Sequence, residues 1–170
     1  HPRITDTAKR LWYIYVGYTA AQTLLLKLAG MNFFDAINHA MATLSTGGFS
    51  TKNASLAYWN DQPIIQYIVI LFMFLAGSNF VLSYFAFKGK VQRVIKDEEF
   101  RFYLGFIVIF SVIATLIILF QAEPTISDTF PMVHGAAESA FRHALFQVLA
   151  VVTTTGFVTA DFTGWTPFLT

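Results

Sequence analysis

Two short stretches of this chain combine glycine with hydroxyl side chains in the same order. Residues 45–51 read STGGFST, and residues 153–159 read TTTGFVT. When Thr46 is aligned with Thr154, a glycine, a phenylalanine and a second threonine also coincide. We call these stretches the first and the second glycine loop. A repeat of this kind within one chain indicates a single structural device that is used twice.

The chemistry that these residue types allow is the binding of a dehydrated cation. Backbone carbonyls that face an axis can replace the hydration shell of an ion. Glycine permits the positive φ angles or the close approach that such a backbone needs, while Thr46 and Thr154 would supply hydroxyls at its inner end. We expect the rings of Phe49 and Phe157 to wedge the loops from behind. The candidate ion-binding residues are Ser45, Thr46, Gly47, Gly48, Phe49, Thr153, Thr154, Thr155, Gly156 and Phe157.

The composition is that of a membrane protein. Of the 170 residues, 55% are hydrophobic and only 12% are charged, whereas soluble domains carry about 25% charged residues. The absence of cysteine from the sequence excludes disulfides and thiolate metal sites in this stretch. The first residues are polar and begin with His1, so we expect no secretory signal peptide and a piece of a longer protein.

Hydrophobic runs of two lengths flank the glycine loops. Runs of about 18 residues or more are typical of membrane spans, whereas runs of about 10–14 are typical of buried or re-entrant helices. A half-helix that ends inside the membrane points the negative end of its dipole inward, which suits a cation. The sequence predicts spans over 11–28, 64–87 and 102–120, pore helices over 33–44 and 138–152, and filter segments over 45–50 and 153–158.

The order of these elements divides the chain into two units. Residues 1–88 make one complete unit of span, half-helix, glycine loop and span, and residues 89–170 make a charged connection and a second unit without its return span. Asn32 is the predicted N-cap of the first half-helix, with Asp35 completing a variant of the capping box. The predicted fold class is an all-α membrane protein built from repeated units.

The basic residues predict the orientation of these units. Most of the eleven Lys and Arg residues lie in 1–10 and 88–101, which places those segments on the cytoplasmic side. The opposite side is acidic, and an acidic vestibule concentrates cations. Polar connections over 121–135 and 160–170 belong to that side. Glu138 and Arg142 are spaced i, i+4 and are expected to pair there, at the outer rim.

The glycine loops resemble the potassium-channel filter TVGYG. The segments TGGFS, residues 46–50, and TTGFV, residues 154–158, align with it and keep its threonine and central glycine. A filter with one retained glycine, repeated in one chain, resembles the Trk/Ktr/HKT superfamily of potassium transporters. The phrases INHAMATLSTGGFST and VLAVVTTTGFVTADF are similar to the second and third repeats of its bacterial TrkH-type uptake subunits, and LAGSNFVLSYFAFKGK is also similar to that family.

This resemblance covers essentially the whole chain and implies a fold and a function. It implies four span–pore–span repeats around one pore, of which this chain supplies two, the second incomplete, and at most half of the filter. It implies potassium ion uptake by a multi-pass protein of the bacterial inner membrane. The residues that would hold potassium are Thr46, Gly47, Thr154 and Thr155.

The resemblance also implies partners. A Trk-type transporter lies in the lipid bilayer as a homodimer, is gated by a cytosolic nucleotide-binding regulatory subunit, binds no nucleic acid and is not an enzyme. Its gating loop, in the return helix of the third repeat, would lie beyond residue 170. The presence of Gly48 and Gly156 favours potassium over sodium.

Two other functions remain open at the level of sequence. Asp35 and His39 are spaced i, i+4, and with His134 and His143 they would be the ligands of a membrane-embedded metalloenzyme. The second unit argues against this site, because its aligned positions are His143 and Gln147. A membrane scaffold that transports nothing is the other alternative.

Some polar positions also have two explanations. Thr51 and Thr159 are either functional or simple turn hydroxyls. The small and polar residues 77–79 are a hinge, a segment that faces the pore, or a surface for helix packing. The charged segment 88–101 is either a solvated connection or a docking surface for a regulator.

Overall fold

The computed structural model describes residues 4–120 and 136–160 as helices joined by short turns. The predicted connection over 121–135, with His134, lies outside the described residues, as does the predicted connection 160–170 apart from its first residue. Within the two described ranges there is no β-strand, in agreement with the predicted all-α class. The α-helices are α1 (Ile4–Leu28), α2 (Phe33–Leu44), α3 (Pro63–Gly77), α4 (Phe80–Phe87), α5 (Val91–Lys96), α6 (Glu98–Phe120) and α7 (Ala136–Val152), and a 3-10 helix covers Ser55–Trp59.

The first half-helix, α2, packs against α1 and is held at both ends. The Asn32 side chain accepts a hydrogen bond from the Asp35 backbone N–H at 2.7 Å, as the sequence predicted, and donates one to the Asp35 carboxylate at 2.7 Å. Near the other end, the buried amide of Gln22 on α1 donates to the Thr43 hydroxyl at 2.9 Å. These contacts fix a helix of only 12 residues over the predicted range 33–44.

One apolar core joins α1, α2, α3 and α7. Leu26, Met31, Ile65, Met73 and Phe146 are among its buried members. In a bilayer such packing stabilises through van der Waals contact, because lipid is as apolar as the side chains. The second half-helix, α7, therefore shares a core with the first.

The helices α6 and α7 meet through small residues. Ala114 and Ile118 of α6 are buried against Ala140 and Ala144 of α7. Small side chains let two helix backbones approach closely within a membrane. The long helix α6 thus supports the second half-helix along its side.

The second apolar run is not one straight helix. The sequence predicted a single span over 64–87, but α3 and α4 are inclined to each other by 106°. The backbone of Ser78 is extended, and the Asn79 side chain caps α4 by accepting from the Val81 N–H at 2.9 Å. Mean hydropathy does not reveal this bend, because an N-cap inside an apolar run hardly changes the mean. The sequence signal was the small and polar stretch 77–79, for which a hinge was one of the alternatives.

One helix within the described ranges has both the length and the hydropathy of a membrane span by itself. It is α6, in which a window of 18 residues reaches a mean hydropathy of 2.7, and it contains the predicted span 102–120. The helices α3 and α4 meet the same test only as a bent pair. α1, predicted to span over 11–28, begins at Ile4 and falls short in hydropathy because it carries Gln22, Lys27 and several tyrosines.

Gly77 ends α3 at a point where there is no room for a side chain. A Cβ atom there would lie 2.4 Å from Thr153 Cγ2 and 2.6 Å from the Tyr103 hydroxyl oxygen. We predict that Gly77→Ala lowers the free energy of unfolding by about 1–3 kcal/mol, the usual cost of overpacking. The measurement is the thermal unfolding midpoint of the full-length protein in detergent.

The matched control is Gly105→Ala in α6. A Cβ atom at Gly105 meets nothing within 4 Å, and alanine favours a helix over glycine by about 0.5–1 kcal/mol. This variant should unfold at the same temperature as the parent protein or slightly higher. Equal midpoints for the two alanine variants would contradict the close packing at Gly77.

Candidate functional site

The first glycine loop closes the C-terminal end of α2. The Thr46 N–H donates to the Thr43 carbonyl at 3.1 Å, and the Gly47 N–H donates to the Ala42 carbonyl at 2.8 Å. Such bonds satisfy carbonyls that the end of a helix leaves without partners. The loop therefore starts at the negative end of the α2 dipole.

The second glycine loop closes the C-terminal end of α7 in a similar way. The Thr154 N–H donates to the Val151 carbonyl at 3.0 Å, and the Gly156 N–H donates to the Ala150 carbonyl at 3.1 Å. Both loops thus lie where a helix dipole presents partial negative charge. This arrangement favours a cation over an anion at either loop.

The two loops share an unusual backbone geometry. Gly48 and Gly156 have φ angles of +65° and +76°, as the sequence predicted for glycine in these loops. Thr46 and Thr154 have φ angles of +50° and +57°, which the sequence did not predict. A β-branched residue in this region is an outlier that costs on the order of 1–3 kcal/mol, and such strain tends to occur at functional sites.

The glycine loops touch each other through their backbones. A Cβ atom at Gly48 would lie 2.0 Å from the Thr155 carbonyl oxygen and 3.1 Å from the Gly156 carbonyl carbon. Gly48 is therefore required for close approach as well as for its φ angle. A Cβ atom at Gly156 would meet nothing within 4 Å, so the second loop has open space on that side.

A side-chain hydrogen bond ties the outer part of each loop back to its own half-helix. The Thr51 hydroxyl donates to the Asp35 carboxylate at 2.6 Å, and a 2.8 Å hydrogen bond joins Thr159 Oγ1 to His143 Nδ1. Neither threonine is thus a simple turn hydroxyl. The sequence offered one signal for this role, namely that the two threonines coincide when the loops are aligned.

The segment that follows the first loop also holds the second loop. In the 3-10 helix Ser55–Trp59, the Ala57 N–H donates to the Val158 carbonyl at 3.1 Å. Just after it, the Asn60 side chain donates to the Thr159 carbonyl at 2.9 Å. The first unit therefore fixes the course of the second loop.

The two phenylalanines of the loops have different surroundings. Phe157 is fully buried and stacks on the His39 ring at a centroid distance of 5.9 Å, which agrees with a wedge behind the second loop. Phe49 is 81% exposed, so the wedge predicted for it is wrong for the described residues. The alignment of the two loops predicted the same role for both rings. Among the described residues, however, the other unit covers only the ring of Phe157.

Arg142 lies in the protein interior between α7 and α3. Its Nε donates to Glu138 Oε1 at 2.9 Å, which confirms the predicted pair. Its Nη1 donates to the Gln66 amide oxygen, and the Gln66 amide nitrogen donates to Asn60. The guanidinium is fully buried, and Gln66 supplies a buried partner for it in addition to Glu138. Its predicted position at the outer rim stays a prediction. The sequence contained one signal for this buried partner, namely that Gln66 is a polar residue inside the apolar run 64–87.

The candidate metal ligands are used in these loop contacts. His39 Nδ1 is hydrogen-bonded to the Asp35 carbonyl at 2.7 Å, and its Nε2 to Ser50 Oγ at 2.8 Å. The Asp35 carboxylate is 3.3 Å from the Lys52 ammonium. Across the described ranges, no three His, Cys, Asp or Glu side chains form a group that could hold a metal. In the described part of the chain, these side chains position loop backbone.

The fold and the paired loops define the class of protein: a helical membrane protein built from repeated units of span, half-helix and loop. Residues 1–170 match the family TrkH, described as a cation transport protein. The chain belongs to this family, which confirms the resemblance found in the sequence.

Known proteins of this family align with almost the whole chain. The Trk system potassium uptake protein TrkH of Escherichia coli K12 is 40% identical over 169 residues, which are 99% of this chain and 33% of that protein. TrkG of the same organism is 32% identical over 96% of the chain. The crystal structure of the potassium transporter TrkH from Vibrio parahaemolyticus matches with a TM-score of 0.86 at 37% identity, covering 99% of this chain and 34% of that one. The chain thus spans about a third of the length of these relatives.

The contact between the loops predicts a difference between two alanine variants. Gly48→Ala and Gly156→Ala impose similar backbone strain, about 1–2 kcal/mol for a side chain in the left-handed region. Only Gly48→Ala also drives a Cβ atom into the Thr155 carbonyl. We expect it to destabilise the full-length protein by about 1–3 kcal/mol more than Gly156→Ala does. Thermal unfolding of both variants measures the difference, and equal stability would contradict the direct contact.

Proposed function

We propose that the full-length protein moves potassium ions across a membrane through a filter of backbone carbonyls, part of which the two glycine loops line. The observation that carries this proposal is the contact between two loops of equivalent backbone geometry at the C-terminal ends of two half-helices. Relatives that align with the chain are called potassium uptake proteins, which supports potassium as the ion.

In the proposed mechanism, loop oxygens replace water around the ion. A potassium ion leaves water only where other oxygens take over its hydration shell. The carbonyls of 45–50 and 153–158 are the proposed source, with the strongest assignment at Thr46, Gly47, Thr154 and Thr155. The dipoles of α2 and α7 add partial negative charge at the same place. Potassium is the cargo of this process, and its passage breaks no covalent bond, so the proposed function is not enzymatic.

The proposal requires more protein than this chain contains. The chain spans 33% of the length of its relative from Escherichia coli, which supports a filter completed by further repeats. In the proposed division, residues 1–88 form one complete repeat and residues 89–170 form part of the next. The exposed ring of Phe49 supports this division, because it offers an apolar surface on which a further repeat can pack.

A multi-pass position in the bacterial inner membrane is part of the proposal. Basic side chains gather at one end of the helices, where Arg10 and Lys88 lie over the ring of Tyr84 at 5.3 and 4.9 Å and Arg93 lies over Phe85 at 5.0 Å. A basic cluster of this kind is typical of the cytoplasmic side. The proposed partners are the lipid bilayer, a second copy of the protein, and a cytosolic nucleotide-binding regulatory subunit on the basic side.

The filter proposal is tested by Gly156→Ser in the full-length protein. The added side chain strains a residue at φ +76° by about 1–2 kcal/mol, so the loop leaves its geometry although no atom blocks the new group. We expect the ratio of potassium to sodium uptake to fall about tenfold, the change that 1.4 kcal/mol produces. Uptake is measured in a bacterial strain that lacks its own potassium transporters.

Gly89→Ser is the matched control. Gly89 has a φ angle of +72°, and a Cβ atom there would meet nothing within 4 Å, but it lies in the turn between α4 and α5 and belongs to neither loop. Its serine variant should carry the same strain and keep the potassium selectivity of the parent. Unchanged uptake and selectivity in Gly156→Ser would contradict the proposed filter.

A further inference from the structure

The glycine loops are anchored at two points each, and the outer anchor joins equivalent positions in both units. Thr51 is bonded to Asp35 at 2.6 Å, and Thr159 is bonded to His143 at 2.8 Å. In each case, the two residues are 16 positions apart, with the partner on the half-helix that precedes the loop. The inner anchor of each loop is the closure of that helix described above.

The chemistry of the two outer anchors differs although their geometry agrees. The first unit uses a carboxylate and the second an imidazole, at positions that coincide when the two glycine loops are aligned. Asp35 is 3% exposed and His143 is fully buried. A hydrogen bond in such a setting is shielded from competing water and holds its partner firmly.

Further contacts brace each outer anchor. In the first unit, the Asp35 carboxylate also accepts from the Asn32 amide at 2.7 Å and lies 3.3 Å from the Lys52 ammonium. In the second unit, the Asn60 side chain donates to the Thr159 carbonyl at 2.9 Å. The outer end of each loop is therefore fixed in position and not merely capped.

We propose that Asp35 and His143 are positioning residues that set ion selectivity by fixing the outer end of each glycine loop. This inference rests on the proposed function. The candidate carbonyls lie between the two anchors of each loop, so their spacing depends on both anchors. When an outer anchor is lost, the loop can relax around ions of different size, and the carbonyl dipoles discriminate less between potassium and sodium.

The test removes the hydroxyl and keeps the shape of the side chain. Thr51→Val and Thr159→Val are made separately in the full-length protein, together with Thr51→Ser and Thr159→Ser, which retain a hydroxyl. The ratio of potassium to sodium flux is measured in proteoliposomes. We expect each valine variant to lower this ratio about three- to tenfold, the effect of losing one hydrogen bond. Each serine variant should restore most of the parental ratio.

Thr115→Val is the control for loss of a hydroxyl elsewhere. The Thr115 hydroxyl donates to the Ser111 carbonyl at 2.6 Å within α6 and so ties neither loop to its half-helix. This variant should keep the parental flux ratio. Where a valine variant does not fold, alanine at the same position, which adds no volume, takes its place.

The outcomes separate this inference from the proposed function. If the parent protein carries no potassium flux, the proposed function itself fails. If the parent is selective and the valine variants are equally selective, the positioning role is overturned and the filter remains. If valine and serine variants lose selectivity to the same extent, the hydroxyl is not the cause and the inference is also overturned.

Discussion

The structure depends on the close approach of two backbones, that of Gly48 in the first glycine loop and that of Thr155 in the second. The carbonyl oxygen of Thr155 occupies the space that a side chain at position 48 would fill. This contact brings the C-terminal ends of α2 and α7 together, and with them two regions of partial negative charge. A site for a dehydrated cation needs two features at one place. One is carbonyl oxygens that are not hydrogen-bonded within a helix, and the other is an electrostatic field that attracts positive charge.

Irregular backbone at membrane depth is tolerated only when protein surrounds it or a water-filled cavity adjoins it. Here the surrounding protein comes from both units. Trp59 and Phe157 flank the ring of His39, which is itself bonded to Ser50 of the first loop. The bend at the end of α3 brings Gly77 against Thr153. The break in the apolar run is thus part of the support for the second loop.

Much of this arrangement was predictable from local sequence. Run length and the N-cap Asn32 gave the range of the first half-helix, and the aligned threonine–glycine pattern gave the two loops and the family. Contacts between residues far apart in sequence were not predictable. The meeting of Gly48 with Thr155 and the burial of Arg142 against Gln66 depend on how the units pack, which no periodicity encodes. The equivalence of the two loops in sequence also led to one wrong prediction, because it assigned to Phe49 the burial that only Phe157 has.

The most direct test of the proposed filter is anomalous scattering from crystals of the full-length protein grown with rubidium or thallium in place of potassium. We expect ion density beside the carbonyl oxygens of 45–50 and 153–158, enclosed by the other repeats. Weaker density is expected when sodium competes. Ion density elsewhere in the membrane region, with none at the glycine loops, would contradict the central claim that these loops carry the ion.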